Sequence, residues 1–494
     1  MTHSAATEPA GTGRVQRTTR DLTRAAVSGW LGTAMEFMDF QLYSLAAAIV
    51  FNKIFFPGAG PAFGLLAAMA TYGVGYVARL VGAVYFGRMG DRVGRKKVLV
   101  LTILMMGAST TLIGALPTYA EIGLLAPSLL VALRLVQGFG AGAEIAGATV
   151  MLAEYAPVRR RGLVASLASL GTNTGTLAAS GLWAVLLAVL SEDQLLSWGW
   201  RLPFLLSFLP LLFALWLRRN LKESPVFEER PDVVDGVALD SGGSRSAAAE
   251  QPTSRDEQPA GRDESPQPAY AGQPAYAGQP AGGAAATLEA GLRQRKGRAF
   301  FLTLGLRFGQ AGNSGLIQTF LVGYIAGTLA VDRSVPTDAI LYGSLLGFVT
   351  VPLIGMAGDR WGRRPVYVAL SGLTIVLAFP LMLMIAHGNT VALTLGMILA
   401  LNIGVLGLFS LESVTMAELF GSRTRFTQLA VAKEIGGVLA TAIGPVLAAA
   451  LTAATGSWWP IAVMLVVYSL ITLLSALFAP ETRGRDLVRA EDAV

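Results

Sequence analysis

The 494-residue chain has no cysteine. Disulfide cross-links, thiol catalysis and cysteine-ligated metals are therefore excluded. It has two histidines, His3 and His387, too far apart to suggest a histidine-based metal site. Charge is scarce too: 14% of residues are Asp, Glu, Lys or Arg, where a soluble domain carries about 25%. In its place stand 53% hydrophobic residues, arranged in repeated apolar runs of about 20 residues. Scarce charge and long apolar runs predict an integral membrane protein built from helices. The first 24 residues hold Arg14, Arg17, Arg20 and Arg24 and lack the apolar core and cleavage site of a removable signal peptide. The first apolar segment is thus expected to be a retained span. No nucleophile–base pair, metal cluster or nucleotide loop is visible, which argues against an enzyme and against a cofactor.

Twelve apolar segments are present, at 25–50, 62–87, 98–116, 126–154, 162–190, 199–219, 299–329, 338–357, 366–387, 390–417, 428–454 and 458–479. Arginine and lysine concentrate on alternate connections. Arg88, Arg92, Arg95, Lys96 and Lys97 stand in one, Arg159 to Arg161 in another, and Arg218, Arg219 and Lys222 in a third; Arg360, Arg363 and Arg364, then Arg423 and Arg425, then Arg483 and Arg485 continue the series. The positive-inside rule puts these connections and both termini in the cytoplasm. The formal charge of +6 is then a matter of topology, and no nucleic-acid partner is implied. The expected organisation is an N-terminal tail at 1–24, a six-helix bundle at 25–220, a linker at 221–297, a second six-helix bundle at 298–480 and a C-terminal tail at 481–494. The linker is rich in Pro, Gly, Ala, Ser and Gln and carries a tandem "QPAYAG" at 267–278; such a composition buries too little apolar surface to fold.

The polar run "GRMGDRVGRKK" (Gly87 to Lys97) returns as "GMAGDRWGRRP" (Gly355 to Pro365). Asp91 and Asp359 are 268 positions apart, and Glu154 and Glu418, each preceding a basic cluster, are 264 apart. Nearly equal offsets indicate two six-helix halves related by duplication. Parallel halves of this kind hold a substrate site at their interface. Within the repeat, Gly87, Gly94, Gly355 and Gly362 permit close backbone approach and unusual dihedrals. Asp91 is placed to face a neighbouring helix N-terminus and to pair with an arginine. Such a cluster, formed in one state and broken in another, reads as a conformational latch. Its expected members are Gly87, Asp91, Arg92, Gly94 and Arg95, their counterparts Gly355, Asp359, Arg360, Gly362 and Arg363, and Glu154, Glu418 and Arg423. The plainer alternative is a basic loop obeying topology alone.

With these motifs in view, the chain resembles the major facilitator superfamily, and within it the metabolite:proton symporter branch. The resemblance is carried by "GWLGTAMEFMDFQLY", "GDRVGRKK", "RLVQGFGAGAEIAGATVMLAEYAPVRRRG", "WGWRLPFLLS", "KESPVFEE" and "AELFGSRTRFTQLA", with "PETRGR" shared with sugar porters. It implies an all-α protein of twelve transmembrane helices in two six-helix bundles, and proton-coupled uptake of organic acids, osmolytes and similar solutes. It places the acids of span 1 and the arginine of span 2 among the family's hallmark positions. The chain departs from the branch at Phe37 and Met38 between those acids, at Leu80 after Arg79, and at Ala143 in "GAE".

Ionisable residues inside spans are costly and mark function. Counted at 1.5 Å per residue from the arginine-rich side, Glu36, Asp39, Arg79, Glu144, Arg307, Glu412 and Glu434 fall at roughly 13–21 Å, near the middle of a ~30 Å core. Arg134 falls in the outer third of its span. One depth shared by several helices points to a polar central cavity. Glu36 and Asp39, three apart, are expected on one helix face, and carboxylates in a poorly hydrated cavity suit reversible protonation. The proton-coupling set is therefore Glu36, Asp39 and Arg79. Expected substrate contacts are Tyr43, Arg134, Gln137, Glu144, Arg307, Asn313, Gln318, Lys433 and Glu434. Each has a structural alternative: Asp39 as a fixed partner of Arg79, Glu144 as a cap on a glycine-rich packing surface, Glu434 as a fixed partner of Lys433. The expected function is proton-coupled uptake of a small organic acid or zwitterion across the cell membrane by a monomer. The alternatives are a proton-coupled exporter and a nutrient sensor that keeps the fold.

Overall fold

The computed structural model describes residues 18–57, 61–228, 282–327, 329, 331, 334–387 and 389–487. Among these residues twelve long helices follow one another: α1 Thr19–Phe51, α2 Pro61–Val93, α3 Arg95–Gly114, α4 Leu125–Tyr155, α5 Val158–Val189, α6 Arg201–Arg219, α7 Gly282–Ser314 prolonged through Gly315–Phe320 and Leu321–Gly327, α8 Ser334–Trp361, α9 Arg363–His387, α10 Thr390–Leu419, α11 Arg425–Thr455 and α12 Trp459–Phe478. No strand occurs among the described residues. Ten of the twelve are long and apolar enough to cross a membrane on length and composition, and α2 and α7 complete the set. Each of the twelve apolar segments of the sequence lies on one of these helices.

Local chemistry sets several ends. Thr18 and Asp21 form a capping box at the start of α1, each side chain accepting the other's backbone N–H at 3.2 Å. The Asn389 side chain accepts the Ala392 N–H at 2.9 Å to open α10. Gly456, in the left-handed region at φ 61°, closes α11. Large apolar side chains such as Val446, Phe301 and Phe478 remain exposed on the outer faces, as lipid-facing residues must. The two halves bend at matching places. α4 breaks at Gly142–Ala143, and α10 carries a wide π turn over Leu401–Gly407.

The first six helices pack chiefly among themselves, as α1 on α5 and α3 between α4 and α6. The last six do likewise, as α7 on α11 and α12. Between the halves, α2 packs on α11 and α5 on α8, a pairing that the sequence repeat exchanges. Gly87 and Gly355 sit in these two seams. A Cβ on Gly87 would lie 2.7 Å from the Thr427 Cα, and one on Gly355 would lie 2.9 Å from the Gly162 carbonyl oxygen.

Gly94 and Gly362 make the sharp turns from α2 to α3 and from α8 to α9, with φ 108° and 103°. A Cβ there would also meet the Glu223 and Glu481 carboxylates, at 2.3 and 2.5 Å. Gly94→Ala and Gly362→Ala are each expected to cost about 1–3 kcal/mol, seen as a lower Tm of the purified protein; an unchanged Tm would contradict the strained turn.

The expected tails and linker differ at their edges. α1 already begins at Thr19. Leu221 and Ser224 are buried, Pro225–Glu228 is a helical turn, and helix α7 starts at Gly282. Within the expected C-terminal tail, Thr482 and Leu487 are buried. These segments fold because they supply partners to the ion network described below. The tandem repeat at 267–278, Arg14 and Arg17 lie outside the described residues.

Candidate functional site

A cavity of ≈ 720 Å³ lies between the halves. Its floor is at the depth where the sequence concentrates charge. From there it runs away from the arginine-rich side, past Thr176 and Leu187 on α5, Val322 on α7 and Asp338 on α8. Glu36, Arg79, Arg307, Gln318, Lys433 and Glu434 line it, together with Phe40, Tyr76 and Phe409.

Two ion clusters form the floor. Arg79 Nη1 lies 2.7 Å from Glu36 Oε1 on its own half. It also donates to Glu434 across the interface, at 2.7 Å through Nε and 2.8 Å through Nη2. This bidentate fork is the geometry that arginine offers a carboxylate. Beside it, Glu412 holds two cations: Lys433 Nζ at 3.0 Å and Arg307 Nη1 at 3.3 Å. Both cations lie over the Phe409 ring, at 5.0 and 5.6 Å. Lys433 and Glu434 are consecutive on α11, so the clusters adjoin.

The structure separates Asp39 from this floor. Asp39 is buried beside Thr110, Gln137 and Arg134, and its oxygens lie outside good hydrogen-bond geometry with any described residue. Arg134 donates to Gln137 Oε1 at 2.5 Å, Gln137 donates to Thr110 Oγ1 at 2.6 Å, and the guanidinium lies 3.8 Å over the Tyr43 ring. Tyr43 in turn pairs with the Thr71 hydroxyl. None of Asp39, Tyr43, Arg134 and Gln137 lines the cavity. Phe40 stands between the two groups, 4.9 Å from the Arg79 guanidinium carbon and 5.7 Å from that of Arg134. The expectation that Glu36 and Asp39 share one face, with Arg79 as common partner, is therefore corrected. Three residues leave the two side chains about 60° apart around the helix, and of the two only Glu36 lines the cavity.

Two further expected substrate contacts are placed elsewhere. Glu144, the first residue after the α4 break, is fully buried; it accepts from Thr102 Oγ1 at 2.6 Å and is paired with Arg218. Asn313 donates to Ser469 Oγ at 3.0 Å and is also buried away from the cavity. Arg218, counted in the sequence as a loop cation, is in fact 1% exposed.

On the arginine-rich side the halves are clasped shut. Asp91 accepts the backbone N–H of Phe426 at 3.2 Å and of Thr427 at 2.9 Å, at the start of α11. Asp359 accepts those of Gly162 and Leu163, at 2.8 and 2.9 Å, at the start of α5. Each aspartate thus meets the positive end of a helix in the other half. Behind them, Glu154 binds Arg95 at 3.3 Å and Arg425 at 2.7 Å, while Glu418 binds Arg363 at 3.3 Å and Arg161 at 3.1 Å. Ser224 donates to Glu154, and Thr482 donates to Glu418 at 2.9 Å. Glu223 accepts the Arg95 N–H and Glu481 the Arg363 N–H, both at 2.9 Å. The arrangement repeats in both halves.

Arg92, Arg360 and Arg423 are exposed and stand outside this clasp, because their side chains point to solvent. Arg425, rather than the expected Arg423, takes part in the clasp, as do Arg161, Glu223, Ser224, Glu481 and Thr482, which are not among the members expected from the sequence. A signal existed: Arg161 and Arg425 are 264 apart, the same interval as Glu154 and Glu418.

A family model described as sugar (and other) transporter matches residues 65–493. The Escherichia coli protein YdfJ is 50% identical over 92% of this chain and 96% of its own length. The shikimate transporter of Escherichia coli is 32% identical over 93% of this chain and 95% of its own. The proline/betaine transporter of Escherichia coli is 30% identical over 96% and 86%. Among solved structures, the proton:xylose symporter XylE bound to 6-bromo-6-deoxy-D-glucose matches with TM-score 0.69 and 16% identity, covering 96% of this chain and 99% of that one. At that identity the likeness is one of fold.

Proposed function

The chain belongs to the sugar (and other) transporter family of the major facilitator superfamily, a multi-pass membrane transporter, and from that premise we propose that it is a proton-coupled symporter taking up a small organic acid or zwitterion. The observation that carries the reading is the cavity floor, where Arg79 on one half is shared between Glu36 beside it and Glu434 across the interface. Charged groups at mid-depth, bridging two halves that must part, suit a site whose occupancy controls alternating access. With the arginine-rich connections and both termini in the cytoplasm, the clasp of Asp91, Asp359, Glu154 and Glu418 is a closed cytoplasmic gate, and the conformation faces outward. The solute pathway lies within one chain, which therefore works as a monomer. Relatives named for shikimate and for proline and betaine support a carboxylate-bearing solute.

Asp39, buried beside Arg134 and set behind Phe40, is the proton carrier that best fits a role apart from solute contact; Glu36 is the carrier in contact with the cavity. Purified protein in liposomes with an acidic exterior is expected to accumulate labelled shikimate, proline or betaine, and a protonophore is expected to abolish this. Asp39→Asn should reduce gradient-driven accumulation to background while solute exchange at equal pH persists. Full accumulation by that variant would remove Asp39 from the coupling path.

A further inference from the structure

We propose that the α7–α11 side of the cavity floor is a seat for the carboxylate of a monoanionic organic acid, and that each such anion enters with one proton, so that transport moves no net charge. This rests on the symport reading above. Among the described residues, the interior of the spans holds five acids, Glu36, Asp39, Glu144, Glu412 and Glu434, and four bases, Arg79, Arg134, Arg307 and Lys433, and Arg218 reaches Glu144 from the last turn of α6. Contacts divide them into groups. Arg218 balances Glu144, and Arg134 faces Asp39. The two groups at the cavity are each unbalanced, in opposite senses: Arg79 has two acids, and Glu412 has two bases. The floor is thus negative toward α1 and α2, positive toward α7 and α11, and neutral as a whole.

The positive side is under-satisfied. Lys433 Nζ approaches Glu412 without forming a well-aligned hydrogen bond, and Arg307 Nε has no acceptor among the described residues. Lys433 is 2% exposed, and both residues line the cavity. Buried donors without acceptors are costly, and a carboxylate supplies two acceptor oxygens to meet them. Phe409 beneath both cations offers the adjoining apolar surface.

Adding one negative charge to a neutral, largely buried floor is unfavourable unless a positive charge comes with it. The neighbouring cluster can take that charge as a proton on Glu434 or Glu36, and Glu36 Oε2 has no hydrogen-bond partner among the described residues. The charged and titratable groups facing this cluster are Arg79 and Tyr76 on α2, Glu144 on α4 and Lys433 on α11. Those facing the seat are Glu412 on α10, Tyr367 on α9 and Glu434 beside Lys433. A zwitterion would bring no net charge, so its proton would leave the floor positive. The balance therefore favours the monoanion.

The test uses purified full-length protein in liposomes at a fixed pH gradient, with labelled shikimate as the monocarboxylate and labelled glycine betaine as the zwitterion. Shikimate accumulation is expected to be the same with and without an inside-negative potassium diffusion potential, at one proton per shikimate. Lys433→Gln should raise the KM for shikimate roughly ten- to hundredfold, the worth of one charge-assisted hydrogen bond, and Lys433→Arg should recover much of that loss. A severalfold rise or fall of wild-type shikimate accumulation with the potential would overturn electroneutral pairing. Gradient-driven betaine accumulation without shikimate accumulation would overturn the seat. If the pH gradient drives neither solute, the symport reading itself fails, and this proposal with it. The potential measurement needs no variant, so it stands even if Lys433→Gln does not fold.

Discussion

Arg79→Gln is expected to abolish transport and to destabilise the protein by about 3–5 kcal/mol, the usual consequence of removing one partner of a buried ion pair. Glu36 and Glu434 are 1% and 7% exposed, and Arg79 is the cation that both share. Without it, two carboxylates face each other across the interface with little water to solvate them. The loss is expected to be visible as a lower Tm in detergent and as absent uptake in liposomes. The triple variant Glu36→Gln/Arg79→Gln/Glu434→Gln should regain most of the stability, because no uncompensated charge remains, and still fail to transport. That split separates a structural role from a functional one. Full transport by Arg79→Gln would show that the bridge is incidental.

The second large effect concerns the clasp. Glu154→Gln/Glu418→Gln should shift the protein from the closed toward the open form on the arginine-rich side. Each glutamate holds one arginine of its own half and one of the other. Each such charge-assisted bond contributes about 1.5–3 kcal/mol, so losing both cross-half pairs moves the equilibrium by about a hundredfold or more. The absence of cysteine makes this measurable, since a single introduced thiol is the only one to react. Thr176→Cys, in the cavity wall, should be labelled more slowly from the outside in the double variant. Ser166→Cys, buried in the α5–α8 seam beside Gly355, should become reactive. Unchanged rates at both positions would mean that the network does not set the gate.

Much of this was legible in the sequence. The twelve apolar runs correspond to the twelve long helices among the described residues, and the two nearly equal offsets correspond to the exchange symmetry that pairs α2 with α11 and α5 with α8. Height in the membrane was legible as well, because each residue advances a helix by a fixed rise. Azimuth was not. Whether Asp39 looks into the cavity or behind Phe40, and whether Glu144 meets solute or Arg218, depends on which neighbour each helix packs against, and mid-span composition does not encode this. The clasp was half visible for a related reason. Asp91 and Asp359 stand out between spaced glycines, whereas Arg161 and Arg425 look like ordinary topological cations until the repeat interval is applied to them. Glu223 and Glu481 sit in segments that composition assigns to linker and tail; they are ordered because each receives the first backbone N–H groups of α3 or α9.

One feature of the clasp reaches beyond this chain. Asp91 and Asp359 are received by main-chain amides, which every residue except proline possesses. A change of side chain at 163 or 426 therefore leaves those amide bonds in place, whereas Thr427 also donates its hydroxyl to Asp91 at 2.7 Å and a Cβ on Gly162 would lie 2.5 Å from the Gly355 carbonyl oxygen and 2.9 Å from Asp359; a proline at any of the four would remove one amide donor. A hybrid carrying its N-terminal half from this chain and its C-terminal half from a distant relative should still make the amide part of those contacts, because that part of the docking surface is written in the backbone.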